Sequence, residues 1–339
     1  MSQKLEKNMK NVILSDATLR DGNHAVSHQL SVEDIGNYCS WVDVTGASWV
    51  EVGHGNGLGA SSYHIGRAAV TDELALKTAR SKLSAGKLSV HVMPGTASIF
   101  RDVDKAADLG VDVFRIASHC TEANITLRFL EHVRSIEKIA VGVLMMSHMC
   151  THKEFLEQAL LMQKAGAQAI ILMDSAGSFL PKAIQERFEI LEAELDIPTG
   201  IHAHNNLGFA TANSLVAVGA GARIVDACIG GFGAGAGNAQ IELISPLLTD
   251  LGLYKRDDYL YTEVASKALS TFAKSPVTNG LTIATGRAGL FSGYLKPIVR
   301  AAEEFQVSPY LIIEELGRRK VVAGQEDMIR EIASKLNLS

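Results

Sequence analysis

The residues best suited to chemistry in this sequence are two histidines in the segment His202-Ala203-His204, at the end of a predicted β-strand. Side chains two residues apart on a strand point to the same face, so both imidazoles can reach one point. Two imidazoles and one carboxylate form a three-ligand set that leaves open positions on a divalent metal ion. We expect Asp21, which follows the first predicted strand, to supply the carboxylate. The alternative interpretation is a polar strand end that holds no metal.

Two further polar residues flank the predicted ligand Asp21. Arg20 precedes it directly, and His24 follows three residues later. A guanidinium can stabilise a developing oxyanion by charge-assisted hydrogen bonds, and a histidine that titrates near neutral pH is suited to move a proton. We therefore expect Arg20 and His24 to be catalytic. The alternative is that Arg20 only pairs with Glu51, at the end of the second predicted strand, while His24 faces solvent.

A repeating pattern along the chain predicts the elements that must position these residues. Helical segments end in glycine next to a small residue, and a run rich in Val and Ile follows at once. The glycines in this pattern are Gly46, Gly110, Gly166 and Gly221. Glycine adopts the left-handed conformation that ends a helix, and apolar runs that are buried on both faces are typical of parallel strands.

Eight strands follow from this pattern, near residues 12, 48, 88, 113, 139, 169, 199 and 224. Strands that alternate with helices in this number predict an α/β fold of the TIM (β/α)8 barrel type. In such a barrel the reactive groups lie at the carboxyl ends of the strands. An open doubly wound sheet is the competing fold, and it is disfavoured because no GxGxxG motif follows the first strand.

The strand pattern stops at about residue 260. Four segments beyond it are predicted as helices: YTEVASKALSTFAKS, SGYLKPIVRAAEEFQ, PYLIIEELGRR and EDMIREIASKL. We therefore expect a catalytic barrel over residues 1–260 and a C-terminal helical domain over residues 261–339. No low-complexity linker separates the two, so the helical extension is expected to pack on the barrel.

Composition excludes several classes of protein. The 339 residues include 32 Lys and Arg against 37 Asp and Glu, a formal net charge of −5 that gives no electrostatic basis for binding nucleic acid or a membrane surface. The longest apolar run, residues 139–146, is far shorter than the roughly 20 residues of a membrane span. The first ten residues contain no apolar signal segment, and the four cysteines form no CxxC pair. A cytoplasmic protein is expected.

A glycine-rich segment, residues 230–238 with the sequence GGFGAGAGN, follows the last predicted strand. No Lys or Arg accompanies it, so a phosphate-binding loop is disfavoured. We expect a tight loop that lets the backbone approach the metal site, with Asn238 adding a polar contact there.

Motifs along nearly the whole chain resemble the 4-hydroxy-2-oxovalerate aldolases, which belong to the DRE-type TIM-barrel metallolyases. These motifs extend from about residue 12 to residue 335 and occur in the same order as in the family. They are LSDATLRDGNHA, EVGHGNGLGASS, HCTEAN, GVLMMSHM, MDSAGS, HAHNNLG, GAGAGNA and ELGRRKVVAGQEDMI. The resemblance implies cleavage of 4-hydroxy-2-oxovalerate, or a close 4-hydroxy-2-oxo acid, to pyruvate and acetaldehyde or a related aldehyde. It also implies a metal-stabilised pyruvate enolate, with Asp21, His202 and His204 matching ligands that usually hold manganese.

The resemblance assigns roles to other residues. Arg20 matches the arginine that stabilises the enolate, His24 matches the catalytic base, and Ser175 matches a residue that contacts the substrate carboxylate. Members of the family usually pair with an acylating acetaldehyde dehydrogenase, to which the aldehyde is channelled. A homo- or hetero-oligomer is therefore expected.

Positions expected to contact the substrate depart from the family pattern. Phe291 stands where the family has a tyrosine that orients the base, which predicts altered proton transfer or stereochemical control. Tyr294, three residues on, is a candidate for a replacement hydroxyl. His91 and Met93 replace leucines that shape the aldehyde pocket, and the imidazole predicts a different, more polar aldehyde.

Two other functions stay open at this stage. A Claisen-type condensation of a 2-oxo acid with an acyl-CoA occurs in the same superfamily, but it needs a basic surface for the CoA phosphates, and the sequence shows no basic cluster near the predicted mouth. A catalytically weak binding subunit of a dehydrogenase complex is the second, with Phe291 as a sign of lost catalysis.

Overall fold

The computed structural model describes residues 5–7, 9–255 and 258–338. Eight parallel strands form a closed barrel in which each strand pairs with the next and the eighth pairs with the first. The strands are β1 (Ile13–Asp16), β2 (Trp49–Glu51), β3 (Lys87–Val92), β4 (Val113–His119), β5 (Ile139–Met145), β6 (Ala169–Asp174), β7 (Thr199–Ala203) and β8 (Ile224–Ala227). The predicted TIM barrel is confirmed, and the open doubly wound sheet is excluded.

Helices surround the barrel and continue beyond it. The α-helices of the described residues are α1 (Gly22–Ala25), α2 (Val32–Val42), α3 (Asp72–Lys82), α4 (Asp104–Asp108), α5 (Leu127–Ser135), α6 (His152–Lys164), α7 (Pro181–Glu194), α8 (Ala210–Gly219), α9 (Ile241–Asp250), α10 (Asp258–Thr271), α11 (Gly280–Arg287), α12 (Leu295–Phe305), α13 (Pro309–Arg318) and α14 (Asp327–Asn337). Short 3-10 turns lie at Asp43–Thr45, Ala123–Thr126, Ser147–Met149, Ile229–Gly231 and Ser292–Tyr294, and a π-helical turn lies at Ile99–Val103. Across these described ranges, no helix is long and apolar enough to span a membrane.

Strand β5 shows why the strands are apolar on both faces. Ile139, Val141 and Val143 belong to the apolar cluster inside the barrel, whereas Ala140 and Leu144 pack in the layer between the strands and the surrounding helices. A parallel barrel buries both faces of each strand, so alternate residues face two different cores.

The ends of the helices follow local chemistry. Ser31 and Asp34 form a capping box at the start of α2, in which each side chain bonds the other residue's backbone N–H. The four glycines predicted to stop helices all have positive φ, from 80° at Gly46 to 111° at Gly221. That prediction is confirmed, because these positions require the left-handed conformation.

The C-terminal helices divide between two cores. In α10, Tyr261, Val264 and Ala268 pack in the same apolar core as the barrel, so the boundary predicted between residues 260 and 261 falls inside this helix. Helices α12 to α14 form a separate core. The predicted packing of the extension on the barrel is confirmed by α10.

Helix α11 lies outside the four C-terminal segments predicted as helices. Its sequence, GLTIATGR, contains two glycines and two threonines, which are weak helix formers. Asn279 caps its first turn, and α11 packs against α13, so tertiary contacts supply what helix propensity lacks.

Candidate metal centre and active site

The three residues predicted as metal ligands meet at the carboxyl ends of the strands. Within the described part of the chain, Asp21, His202 and His204 form the one set of three His, Cys, Asp or Glu residues whose ligand atoms all lie within 4.8 Å of one another. The Nε2 atoms of His202 and His204 lie 3.6 and 3.9 Å from Asp21 Oδ2. All three residues are at most 2% exposed. The tertiary structure therefore brings Asp21 to two histidines that lie 181 and 183 residues further along the chain.

Both imidazoles are oriented by partners on their outer side. His202 Nδ1 lies 3.0 Å from Asp226 Oδ2, and His204 Nδ1 lies 3.2 Å from the carbonyl of Gly237. Each Nδ1–H therefore donates outward, which leaves the Nε2 lone pair facing Asp21. His202 Nε2 is buried without a hydrogen-bond partner. A divalent cation would satisfy this atom, and a histidine whose other nitrogen bonds a carboxylate is the common arrangement of metal ligands.

The charges of the set also suit a cation. Burial opposes ionisation of Asp21, but Arg20, His204 and His202 outweigh it and hold the pKa of this carboxyl well below its usual range. Burial lowers the pKa of His204 to about 4, so its imidazole is neutral, as a ligand must be. Burial likewise disfavours a charge on His202, yet Asp21 and Asp226 prevail and raise its pKa. The two carboxylates therefore favour a proton on His202, and a divalent cation bound at Nε2 would take the place of that proton.

The glycine-rich loop after β8 holds Asp21 in place. Asp21 Oδ1 accepts hydrogen bonds from Ala234 N at 3.0 Å and from Asn238 Nδ2 at 2.9 Å. A Cβ on Gly233 would lie 2.6 Å from Asp21 Oδ1 and 2.0 Å from Asn238 Nδ2. Only glycine fits there without displacing the carboxylate, which agrees with a tight loop that approaches the predicted site.

Arg20 pairs with Glu51, as one sequence interpretation predicts, and also lies where the catalytic interpretation requires it. Its Nε donates to Glu51 Oε2 at 2.7 Å, and its Nη1 donates to Asp21 Oδ2 at 2.6 Å. Its Nη2 is buried and has no hydrogen-bond partner. The pairing with Glu51 thus fixes the guanidinium beside the candidate metal ligands while leaving donors for an oxyanion.

Sequence reasoning missed the ion pairs beneath the site. Arg115, which is fully buried on β4, donates through Nη2 to Asp226 and has Nη1 3.3 Å from Glu51 Oε1. The contacts therefore run from His202 through Asp226, Arg115 and Glu51 to Arg20. A signal was present, because VFRIAS and IVDA each carry one charged residue inside an otherwise apolar strand.

His24 lies half-buried in α1, at the edge of a cleft of about 710 Å³ between the barrel mouth and the C-terminal region. Phe291 lines the same cleft, and its ring meets the His24 ring edge-on with the centroids 6.4 Å apart. Burial lowers the pKa of His24 to about 4, against the opposing effect of Asp21. The imidazole is therefore neutral near pH 7 and has a lone pair to accept a proton.

The other predicted contact residues lie around the barrel mouth. Ser175 is buried after β6, where its Oγ accepts a hydrogen bond from Met146 N at 2.9 Å. His91 lies inside the barrel with Nδ1 3.9 Å from Glu51 Oε1, and burial holds its pKa well below its usual range. Met93, just after β3, packs against the apolar cluster inside the barrel.

Tyr294 does not bring its hydroxyl to His24. The residue is buried in the C-terminal core, and its hydroxyl donates to the carbonyl of Val322. The predicted replacement for the family's phenol is therefore not available in this arrangement, because the backbone of a neighbouring segment already binds the hydroxyl.

The sequence shows no basic cluster near the predicted barrel mouth, but the fold places two lysines there. Lys274 and Lys296, which are far from the barrel strands in sequence, both line the 710 Å³ cleft. Their side chains come from the C-terminal region, so the order of motifs in the barrel sequence gave no indication of them.

Comparison with known proteins identifies the class to which this barrel and site belong. A family model described as HMGL-like matches residues 11–269, and one described as a DmpG-like communication domain matches residues 276–338. The carboxyl transferase domain of pyruvate carboxylase from Rhizobium etli has the same fold, with a TM-score of 0.79 and 16% identity. The match covers 97% of this chain and 60% of the solved one.

Relatives of higher identity define the family more narrowly. The 4-hydroxy-2-oxovalerate aldolase of Spirochaeta aurantia is 48% identical over 327 residues, 96% of each chain. That of Burkholderia pseudomallei strain K96243 is 49% identical over 327 residues, 96% of this chain and 94% of the relative. The chain belongs to the 4-hydroxy-2-oxovalerate aldolase family. Neither the Claisen-type condensing enzyme nor the non-enzymatic subunit is favoured by these relatives.

Proposed function

We propose that this chain cleaves 4-hydroxy-2-oxovalerate, or a close 4-hydroxy-2-oxo acid, to pyruvate and acetaldehyde or a related aldehyde. The observation that carries the proposal is the meeting of Asp21, His202 and His204, with both Nε2 atoms facing the carboxylate, beside Arg20. The names of the relatives support the same reaction. A carbon–carbon lyase needs an electron sink for the bond that breaks, and this set of residues is suited to hold one.

The residues that would hold the metal are Asp21, His202 and His204, and Mn²⁺ is the metal that we propose. A carboxylate with two imidazoles suits several divalent ions, so the choice of manganese rests on the resemblance to the family. When bound, the ion supplies Lewis acidity that polarises the 2-oxo group of the substrate. Asp226 would keep His202 in the tautomer that leaves Nε2 free for it.

His24 and Arg20 would carry out the proton and charge transfers. Neutral His24 takes the proton from the C4 hydroxyl, the C3–C4 bond breaks, and the aldehyde forms. The electron pair moves to the C2 oxygen as an enolate, which the guanidinium of Arg20 stabilises. The enolate then takes up a proton at C3 to give pyruvate. Ser175 and the residues at positions 91, 93 and 291 would contact the remaining groups of the substrate.

The proposal is tested with a panel of 4-hydroxy-2-oxo acids that differ at C5, assayed for pyruvate with added Mn²⁺. We expect pyruvate from at least one acid, loss of activity in a chelator, and recovery when metal is restored. His202→Ala is expected to lose both activity and metal, whereas the control His152→Ala, on a helix outside the site, keeps both. Equal turnover by chelated and metal-loaded protein would contradict the proposal.

We also propose an acylating acetaldehyde dehydrogenase as the protein partner and the C-terminal region as its docking site. The match to a communication domain supports this assignment. Large apolar side chains are exposed in the same region, at Val277, Tyr310 and Leu311, and such surfaces are typical of interfaces. Size-exclusion chromatography with a dehydrogenase of this class tests the pairing, and Tyr310→Asp is expected to weaken it. The oligomeric state and the cytoplasmic location stay predictions.

A further inference from the structure

Lys296 connects the C-terminal region to the segment that carries His24. Its Nζ donates to the carbonyls of His24 at 3.0 Å and Ala25 at 2.8 Å, and lies 3.1 Å from Ser27 Oγ. An ammonium has three donors, and all three are engaged by this one segment. No Asp or Glu of the described ranges forms an ion pair with Lys296, so the side chain is not held by a carboxylate elsewhere.

The segment that Lys296 binds needs support from outside. Helix α1 has only four residues. Its His24 carbonyl accepts from the N–H groups of Val26 and Ser27, and the Lys296 ammonium adds a cation at this helix end, where a positive charge is favourable. The chain then passes through Ser27 and His28 with φ of 56° and 64°. Left-handed conformations are strained for residues other than glycine and persist only where surrounding contacts hold them.

Helix α12 is anchored independently of α1. Ile298 and Ala301, on the turns after Lys296, are buried in the C-terminal core. Just before the helix, Ser292 N donates to the carbonyl of Ser175 at 2.9 Å, which ties this end of α12 to the barrel mouth. The backbone that carries Lys296 is therefore held by the C-terminal region and not by the segment that the ammonium binds.

We propose that Lys296 is a positioning residue for the aldol cleavage, holding α1 and the strained turn after it so that the His24 imidazole stays at the edge of the cleft. The C-terminal region then affects catalysis directly, through the backbone on either side of the base. The inference rests on the proposed function, in which His24 accepts the proton of the C4 hydroxyl.

The test compares Lys296→Met, which removes the donors, with Lys296→Arg, which keeps a cation and donors. The control is Lys335→Met, the same chemical change on the surface of α14; Lys335 pairs with Glu331 and makes none of these contacts. For Lys296→Met we expect kcat to fall about 10-fold or more, with KM and the affinity for Mn²⁺ within twofold of wild type. Lys296→Arg is expected to recover most of kcat, and Lys335→Met to behave as wild type.

Hydrogen exchange of the Mn²⁺-loaded protein tests the anchoring without relying on turnover. Amides of residues 22–29 are expected to exchange faster in Lys296→Met and at wild-type rates in Lys335→Met. Unchanged exchange in this segment, or a kcat for Lys296→Met equal to that of the control, would overturn the inference. A parallel loss of Mn²⁺ affinity would also overturn it, because the effect would then pass through the metal site. Absence of pyruvate from the wild type would instead reject the proposed function.

Discussion

His202 and Asp226 are register partners on neighbouring strands β7 and β8, and His202 Nδ1 lies 3.0 Å from Asp226 Oδ2. Because both side chains point into the barrel, the carboxylate fixes the imidazole in the orientation that leaves Nε2 facing Asp21. Arg115 binds the same carboxylate from β4. The tautomer of a candidate metal ligand is thus set by the pairing of two strands.

Replacing Asp226 with asparagine is expected to weaken metal binding. The neutral amide polarises the imidazole less, and outer partners of this kind typically account for a 10- to 100-fold change in metal affinity. Competition with a chromogenic chelator measures the dissociation constant for Mn²⁺. Asp250→Asn, at the end of α9, makes the same chemical change outside the site and serves as the control. An unchanged affinity in Asp226→Asn would show that this contact does not tune the ligand.

Gly233→Ala is expected to displace Asp21. The added Cβ would meet Asp21 Oδ1 and Asn238 Nδ2 well inside contact distance, so the loop or the carboxylate must move. We expect at least a tenfold loss of Mn²⁺ affinity and about 1–3 kcal/mol of lost stability from overpacking. Both are measurable by chelator competition and urea unfolding.

Gly219→Ala is the matched control for the glycine substitution. Nothing lies within 4 Å of a Cβ at this position, at the end of helix α8. The variant should bind metal as the wild type does and gain slight stability, because alanine favours a helix. Equal behaviour of the two variants would exclude steric contact at Gly233 as the reason for glycine there.

Phe291→Tyr is expected to shift substrate preference toward 4-hydroxy-2-oxovalerate and to raise stereochemical control. The Phe291 ring lies 6.4 Å from the His24 ring, and we expect an added phenol hydroxyl to interact with the proposed base. The measurement is kcat/KM for both enantiomers across the C5 panel. Tyr294→Phe removes a hydroxyl that binds Val322 and should leave these ratios unchanged. Identical selectivity in Phe291→Tyr and wild type would argue against a role for this position.

The free energy of unfolding is expected to decrease as the pH is lowered, partly because of His148. Its Nε2 donates to the carbonyl of Gly289 at 3.0 Å, and burial lowers its folded-state pKa from 6.5 to about 4. Between these values the unfolded chain binds more protons than the folded chain, so the free energy of unfolding decreases as pH falls from 6.5 toward 4. The full effect of such a shift is about 3 kcal/mol.

The variant His148→Gln isolates this contribution, because its amide keeps a donor toward Gly289 and does not titrate. Urea unfolding of both metal-free proteins at pH 7.5, 6, 5 and 4.5 gives the two stability profiles. We expect the variant's profile to be shallower below pH 6.5. Profiles that run parallel would show that His148 is not protonated differently in the folded and unfolded states.

Much of the barrel could be predicted because its signals are local. Runs such as IAVGVLM and the glycines that end helices reflect two-sided burial and backbone conformation, which neighbouring residues determine. The pair His202 and His204 could be assigned to one face for the same reason, since side chains alternate along a strand. Helix α11 was missed because packing and its cap, and not its propensity, stabilise it.

The candidate site could be predicted only in part. Arg115 and Asp226 were signalled by charge within apolar strands, but their partners were not, since a buried ion pair depends on register across the barrel. Lys296 carried no signal at all: its contact with His24 spans 272 residues and involves a backbone carbonyl, which every residue type offers.

By itself, the sequence determined the eight strand–helix units and the residue types at the strand ends, because periodicity and helix termination act over a few residues. Only the tertiary structure decided which nitrogen of each histidine faces Asp21, that Glu51 holds Arg20, and that the Tyr294 hydroxyl binds Val322. The reason is physical: these contacts exist only after the barrel closes and the C-terminal helices pack, when groups far apart in the chain must share the same buried hydrogen-bond partners.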